Sequence, residues 1–531
     1  MAHPQPALLD DSHVKRRTML KAGGVLAGAA ATFGMLEALA DKPLRLKAGA
    51  ATTPLPDIQF AIGDFIPPAF TRNDGAGDVE VRLGPVFQNM TTARLTRTPT
   101  LADQRALANA LNTIEQVFTF SPSGVFTWIA YGAPYFNRLR FGTRGGATAT
   151  RLIPRLASNP TRSVLEEMVA APTDFGQPGI TKRAFNVPVR IERNDLVIIL
   201  KSDSTANIQS VLGWLSGSNR LGGQSIPSPR LPIQFTSTRV IFQQPGLTRK
   251  VADQNNLSYA DRINPNSPMW MGFWDQQTNA AADAATVTFA GSSVAHLTTA
   301  HAGDYFDNGS ILPLSHVILD LAQFYAKAGD AAQVGEDAED YSERVQYAFR
   351  SNPIPNPGNA ADGFTNGGGP SLIPNTFQGA DDALKDAQGQ NDETPTPRLG
   401  HEQCLQRSSR AADGTPLHIR VDGSGFSSMD VPDGSNQPTL EFAAFVPTSD
   451  FFNTMRRNVA ALDLQEQFNV DPTDNGFERF STATRRQMFL TPPRRHRAFP
   501  LLELTSGGTG GGGGTGGTGG GGTGGGGRRR R

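Results

Sequence analysis

Two stretches of this 531-residue chain repeat one order of segments, strands interleaved with helices, and that repetition restricts the fold more than any other feature. In the first stretch Ile58–Phe60 reads as a short strand, Leu101–Phe118 has helical spacing, and Gly124–Tyr131 reads as a strand. After Asp195, Leu196-Val197-Ile198-Ile199-Leu200 is apolar without a break, the pattern of a strand covered on both faces. Ser204–Leu215 follows with helical periodicity, opened by capping-type residues. In the second stretch Val240–Phe242 and His296–Thr298 read as strands and Leu314–Ala326 as a helix. Leu440–Val446 is an apolar strand, and Phe451–Leu462 has apolar residues at helical spacing. The order predicts an α+β fold of duplicated ferredoxin-like units, antiparallel sheets with helices of the dimeric α+β barrel type. The halves fall at residues 51–232 and 234–504, packed as one body. Residues 327–397, crowded with Gly, Asn, Asp and Pro, are too long for an ordinary loop and read as an insertion in the second half.

The two ends have a different character. Lys15-Arg16-Arg17-Thr18-Met19-Leu20-Lys21 is followed by an apolar, Gly- and Ala-rich run from Ala22 to Leu36. Ala38-Leu39-Ala40 offers a small-residue cleavage site, with a second at Ala48-Gly49-Ala50. This is the layout of a twin-arginine export signal and linker over residues 1–50. It implies the twin-arginine translocase as a partner and a periplasmic, cell-envelope or extracellular destination. That pathway carries proteins already folded, typically around a cofactor. From Ser506 the chain is almost only Gly and Thr and closes with Arg528–Arg531. Such a composition cannot bury enough apolar area to offset backbone entropy, so it reads as a flexible tether. Its arginines suit weak contact with a polyanion or the envelope, or simply keep the tail in solution.

Lys and Arg number 49 and so do Asp and Glu, so no overall field recruits specific nucleic acid. Cys404 is the single cysteine, which excludes an intrachain disulfide and a zinc site built on several thiolates.

Several segments together resemble the dye-decolourising peroxidase family. Phe126 to Phe136 is similar to the family's first-half strand ending in a Gly-Pro turn, and Asp195–Leu200 with Asp203 to its apolar strand and following helix. Gly272-Phe273-Trp274-Asp275-Gln276 resembles the Gly-x-x-Asp-Gly signature, with Gln276 in place of the last glycine. His401 precedes Arg420 at a spacing like that of the family's proximal histidine and distal arginine, though the loop after it lacks the usual Asn-Pro. Leu440–Val446 followed by Phe451–Arg457 resembles the closing strand and Arg-rich helix. The resemblance implies a duplicated ferredoxin-like enzyme that binds haem b and uses hydrogen peroxide with a reducing substrate. It also implies the site residues: His401 as iron ligand, Asp275 and Arg420 facing the peroxide.

The chemistry asks for a neutral imidazole on the iron, a carboxylate to move a proton between peroxide oxygens, and a cation to stabilise developing charge. The residues alone leave alternatives. His418, flanked by Leu417 and Ile419 in a strand-like pattern, is a rival ligand. Asp275 also reads as a turn residue beside Trp274, and Arg420 as a surface partner of Asp422. His296, His301 and Asp304 have only a loose metal-ligand spacing. Two functions follow: an exported haem-dependent peroxidase oxidising bulky substrates, or a non-catalytic protein of the same fold that binds at the envelope without haem.

Overall fold

The apolar segment after Asp195 becomes the strand Leu196–Ser202, buried along its whole length and paired on both edges. A computed structural model describes residues 26–43, 45, 54–73, 78–139, 151–177, 182, 184–272, 282–291, 296–326, 401, 415–470 and 476–505. The first half contains β1 (Phe87–Leu95), α1 (Leu101–Val117), β2 (Phe126–Gly132), β3 (Leu196–Ser202), α2 (Thr205–Leu215) and β4 (Ile233–Phe242). Their spatial order is β4-β1-β3-β2, every neighbouring pair antiparallel. After α3 (Leu247–Gln254) the second half contributes β5 (Ser310–Leu319), β6 (Gly423–Ser427), β7 (Gln437–Phe445), α4 (Ser449–Ala460) and β8 (Ser481–Thr491). These lie in the order β8-β5-β7-β6, so each half has its fourth strand beside its first and its third beside its second. That is the ferredoxin-like arrangement, twice.

Two short seams join the halves. Ser424 and Gly425 of β6 pair with Phe242 and Ile241 of β4, and Phe489 and Leu490 of β8 pair with Gly132 and Tyr131 of β2. The ring closes, so the long strands keep no open edge. Gly132 is required at its seam because a Cβ there would run into the Asn194 carbonyl. The fold is therefore α+β, two ferredoxin-like halves sharing one antiparallel barrel.

Strand alternation divides the apolar residues between two cores. Met90, Trp128, Val197, Ile199, Ile241, Phe445 and Phe489 fill the barrel interior. Ile198, Leu200, Leu111, Ile114, Val211 and Phe452 pack between sheet and helices.

Several sequence expectations need correction. Leu314–Ala326 is not a helix: residues up to Leu319 belong to β5, and only Leu321–Phe324 turns helically. β5 is covered on both faces and paired on both edges, so its apolar run carries no alternation to distinguish it from a helix. Its Pro313 lies just outside the β7 register, where a missing N–H is tolerated. β4 is the fourth strand of the first half, so the boundary falls after Phe242 rather than at 233. Ile58–Phe60 forms no strand, and Thr298 makes only an isolated bridge with Leu156. β1 carries no apolar run because polar residues interrupt both of its buried faces: Asn89, Thr91 and Thr92 hydrogen-bond across to Thr238, Thr236 and Ser237.

Residues 26–39 are helical and place Ala29, Phe33 and Leu36 in the outer core. Arg16 and Arg17, the insertion at 327–397 and the tail from 506 lie outside the described residues. No helix among the described residues is long and apolar enough to cross a membrane.

Candidate functional site

Alternation also builds a cavity of about 250 Å³ between the outer face of the second sheet and α4. Val317 and Leu319 of β5 and Leu440, Phe442 and Ala444 of β7 point into it, as do Met455 and Val459 of α4. Trp270 closes one side, its indole N–H donating to the Gly425 carbonyl at 2.8 Å. The segment leading into β6 alternates in the same way. His418, Arg420, Asp422 and Ser424 line the cavity, while Ile419 and Val421 pack toward the barrel interior. Arg420 is fixed in register opposite Ala444 of β7.

His401, in helical conformation, lines the same cavity. Its ring stacks on Phe477, centroids 5.1 Å apart and planes inclined by 27°. Gly476, at φ 45°, lets the His401 backbone approach; a Cβ there would lie 3.1 Å from the His401 Cα. Burial lowers the His401 pKa to about 4, against the raising field of Glu478 and with help from Arg456. The imidazole is neutral at pH 7, the form that binds a metal.

Glu478 is the centre of a buried polar wall. Burial works against its charge, but Arg456, Lys182 and the Thr173 hydroxyl more than offset it, and its pKa falls to about 2. Arg456 donates to both carboxylate oxygens at 3.2 and 3.3 Å, and Thr173 donates at 2.5 Å. The buried Nε of Arg456 has no hydrogen-bond partner among the described residues. Lys182, donating to the Glu478 carbonyl, has its pKa pushed down by burial to about 8. Beside this wall Arg486 holds Asp174 with two bonds, 2.7 and 3.0 Å, and donates to Ser315 at 3.1 Å. On the β6 side, burial raises the Asp422 pKa, opposed by Arg420 and by Lys201 from the barrel interior.

The structure thus brings His401, Arg420 and the rival His418 into one cavity, with His418 only 2 % exposed. Asp275 lies outside the described residues. Asp422 is no surface partner of Arg420, because it faces the cavity. Sequence reasoning missed Glu478, Arg456 and Lys182, which converge from separate segments with no shared spacing. The alternation His418-x-Arg420-x-Asp422-x-Ser424 was present in the sequence and does signal a common face. His296, His301 and Asp304 are exposed, and the Asp304 carboxylate accepts from the His301 backbone N–H at 2.7 Å. No group of three metal-ligating side chains occurs among the described residues.

Comparison with known proteins gives the following. The encapsulated DyP-type peroxidase from Mycobacterium smegmatis is similar over 79% of this chain and 95% of its own, at 14% identity and a TM-score of 0.42. A dye-decolorizing protein from V. cholerae is similar over 79% and 96%, at 12% identity and a TM-score of 0.40. DyPB from Rhodococcus jostii RHA1 is similar over 79% and 95%, at 12% identity and a TM-score of 0.43. No curated protein matches the sequence. A family described as of unknown function matches residues 166–493, more than half the chain and the whole stretch that lines the cavity. This chain belongs to that family, DUF7405.

Proposed function

We propose that the protein is an exported, haem-dependent peroxidase that uses hydrogen peroxide to oxidise bulky substrates. One observation carries the proposal: a single apolar-walled chamber gathers a neutral imidazole, a buried carboxylate behind it, and an arginine with a carboxyl beside it. The donor set suits haem. His401 is the residue to hold the iron, with the Glu478 charge supporting the imidazole. Leu440, Phe442 and Val459 offer an apolar wall to the macrocycle, and Arg456 and Lys182 are cations placed to meet its carboxylates. Bound haem supplies the iron centre at which peroxide is reduced.

The chain's own residues supply the proton and charge handling. Asp422, whose burial raises its pKa, is suited to take a proton from hydrogen peroxide and return it to the departing oxygen. Arg420 stabilises the negative charge that builds there. Asp275, from the signature-like segment, is the second carboxylate proposed for this role.

The test begins with wild-type protein made with ample haem, which should show a Soret band and peroxide-dependent oxidation of a bulky dye. His401→Ala should lose the band and His418→Ala keep it; the reverse pattern moves the ligand to His418. Asp422→Asn or Asp275→Asn should keep haem and slow the reaction with peroxide by about 10²–10⁴-fold. A colourless wild-type protein removes the enzyme reading and leaves the non-catalytic one. Export rests on the arginine pair: replacing Arg16 and Arg17 by lysine should leave the folded chain in the cytoplasm, and unchanged export would defeat that part.

A further inference from the structure

We infer that residues 26–43 and Arg45 are a lasting component of the folded body, docked in a receiving groove beside α2 and α3, and that the chain functions with this segment attached. The inference goes beyond the proposed activity and stands whether or not haem binds. The apolar face of helix 26–39 is inserted, not laid on: Phe33 and Leu36 have no exposed surface. Its last turn serves the body directly, since the Glu37 carboxylate accepts from the Thr205 N–H at 3.0 Å, the first residue of α2. An acid at a helix N-terminus meets both an unpaired N–H and the positive end of the helix dipole.

The strap that follows is held by polar groups from separate places in the fold. Asp41 and the Gln244 side chain exchange two hydrogen bonds, the Asp41 N–H donating at 2.8 Å and the Asp41 carbonyl accepting at 2.9 Å. Lys250 of α3 pairs with the Asp41 carboxylate at 2.6 Å. Arg45 grips Asp203 with two bonds, 3.1 and 2.9 Å, and also donates to the Leu83 and Gly84 carbonyls. A leader that is discarded has no need of such partners. Cleavage after Ala40 would remove Phe33, Leu36 and Glu37, baring the apolar surface they cover and leaving the Thr205 N–H without its carboxylate acceptor, with only the Ser204 cap remaining on α2.

Intact mass of the purified full-length gene product tests retention, and the expected result is an N-terminus ahead of residue 26. Limited trypsin digestion tests docking, because Lys42 and Arg45 lie in the strap. Gln244→Ala and, separately, Lys250→Ala change only the receiving groove and leave residues 1–50 untouched. Gln244→Ala should speed cleavage in the strap roughly tenfold, since it removes two hydrogen bonds that hold it closed. It should also lower the melting temperature. Mature protein starting at Asp41 or Ala51 would overturn the inference. So would wild-type protein that loses the segment to trypsin as fast as the variants do, with no change in melting temperature.

Discussion

Asp422 sits under the influence of cations from both halves, Arg420 beside it and Lys201 of β3 from the barrel interior. Lys201 lies over the Trp128 ring, its nitrogen 5.6 Å from the centroid, and burial pushes its pKa down to about 8 against the pull of Asp422. Gln88, opposite Lys201 in the β1–β3 register, donates to the Val421 carbonyl at 2.8 Å and so pins the Arg420–Asp422 segment over the lysine. Replacing Lys201 by methionine removes a charge that favours the carboxylate, so the Asp422 pKa should rise further. The acid limb of the proposed peroxide reaction should then move to higher pH, because the proposed proton acceptor is ionised over a narrower range. Lys201→Arg, which keeps the charge, should leave the limb nearer its original place. An unmoved pH profile in haem-loaded Lys201→Met would show that Asp422 does not carry the proton.

At the scale of single elements, α1 shows how local chemistry sets a boundary. Thr100 and Asp103 form a reciprocal cap: the Asp103 N–H donates to the Thr100 hydroxyl at 3.4 Å, and the Thr100 N–H donates to the Asp103 carboxylate at 2.7 Å. Thr100→Ala should cost about 1 kcal/mol in denaturant unfolding. Asp103 is also gripped by Arg97 at 2.6 and 2.8 Å, and that bond, more than any other influence, draws its pKa down to about 2. A carboxylate whose folded pKa is depressed stabilises above its ordinary value of 3.8, and the contribution is lost as pH falls toward about 2. Asp103→Asn should therefore flatten the loss of stability between those two pH values. Acid unfolding curves of the variant and the parent check it.

Across the whole molecule, the closed barrel holds a chain of polar and charged groups opposite the cavity side of the second sheet. His316 of β5 contacts Glu441 of β7 at 2.6 Å, and Arg239 of β4 lies 3.5 Å from Glu441 and 2.7 Å from Glu192. Arg485 of β8 continues to Asp430 at 2.5 Å. Burial opposes the charge on Glu192, but Arg239 and Arg485 more than offset it and its pKa is lowered. Arg239 is shared by carboxylates from the two halves and is itself fully buried. Arg239→Met should destabilise by about 3–5 kcal/mol, because it removes the buried cation that Glu441 and Glu192 share and leaves Glu192 only the longer contact to Arg485. The denaturant midpoint reads this directly, and replacing Glu192 by glutamine in the same chain should restore part of it.

What the sequence determined by itself is the set of elements whose pattern is local. β3, β7, α1, α2 and α4 follow from apolar runs, helical spacing and caps, and their repeated order led to a duplicated α+β fold. His401 and Arg420 were also legible, through resemblance, and both lie in the cavity. β1, β5 and β8 were not, because their residues are dictated by neighbours far along the chain: a polar ladder in β1, two apolar faces in β5, paired arginines in β8. The wall of Glu478, Arg456 and Lys182 exists only once the turn before β8, α4 and Lys182 converge, and burial then makes the His401 imidazole neutral. The burial of residues 26–36 was decided the same way. Their composition is that of an export segment, but whether such a helix is solvent-facing or core depends on a groove that residues 83–86, 203–205, 244 and 250 build together. Local pattern is a property of neighbours along the chain, whereas desolvation and charge pairing belong to neighbours in space, and only closure of the barrel makes those.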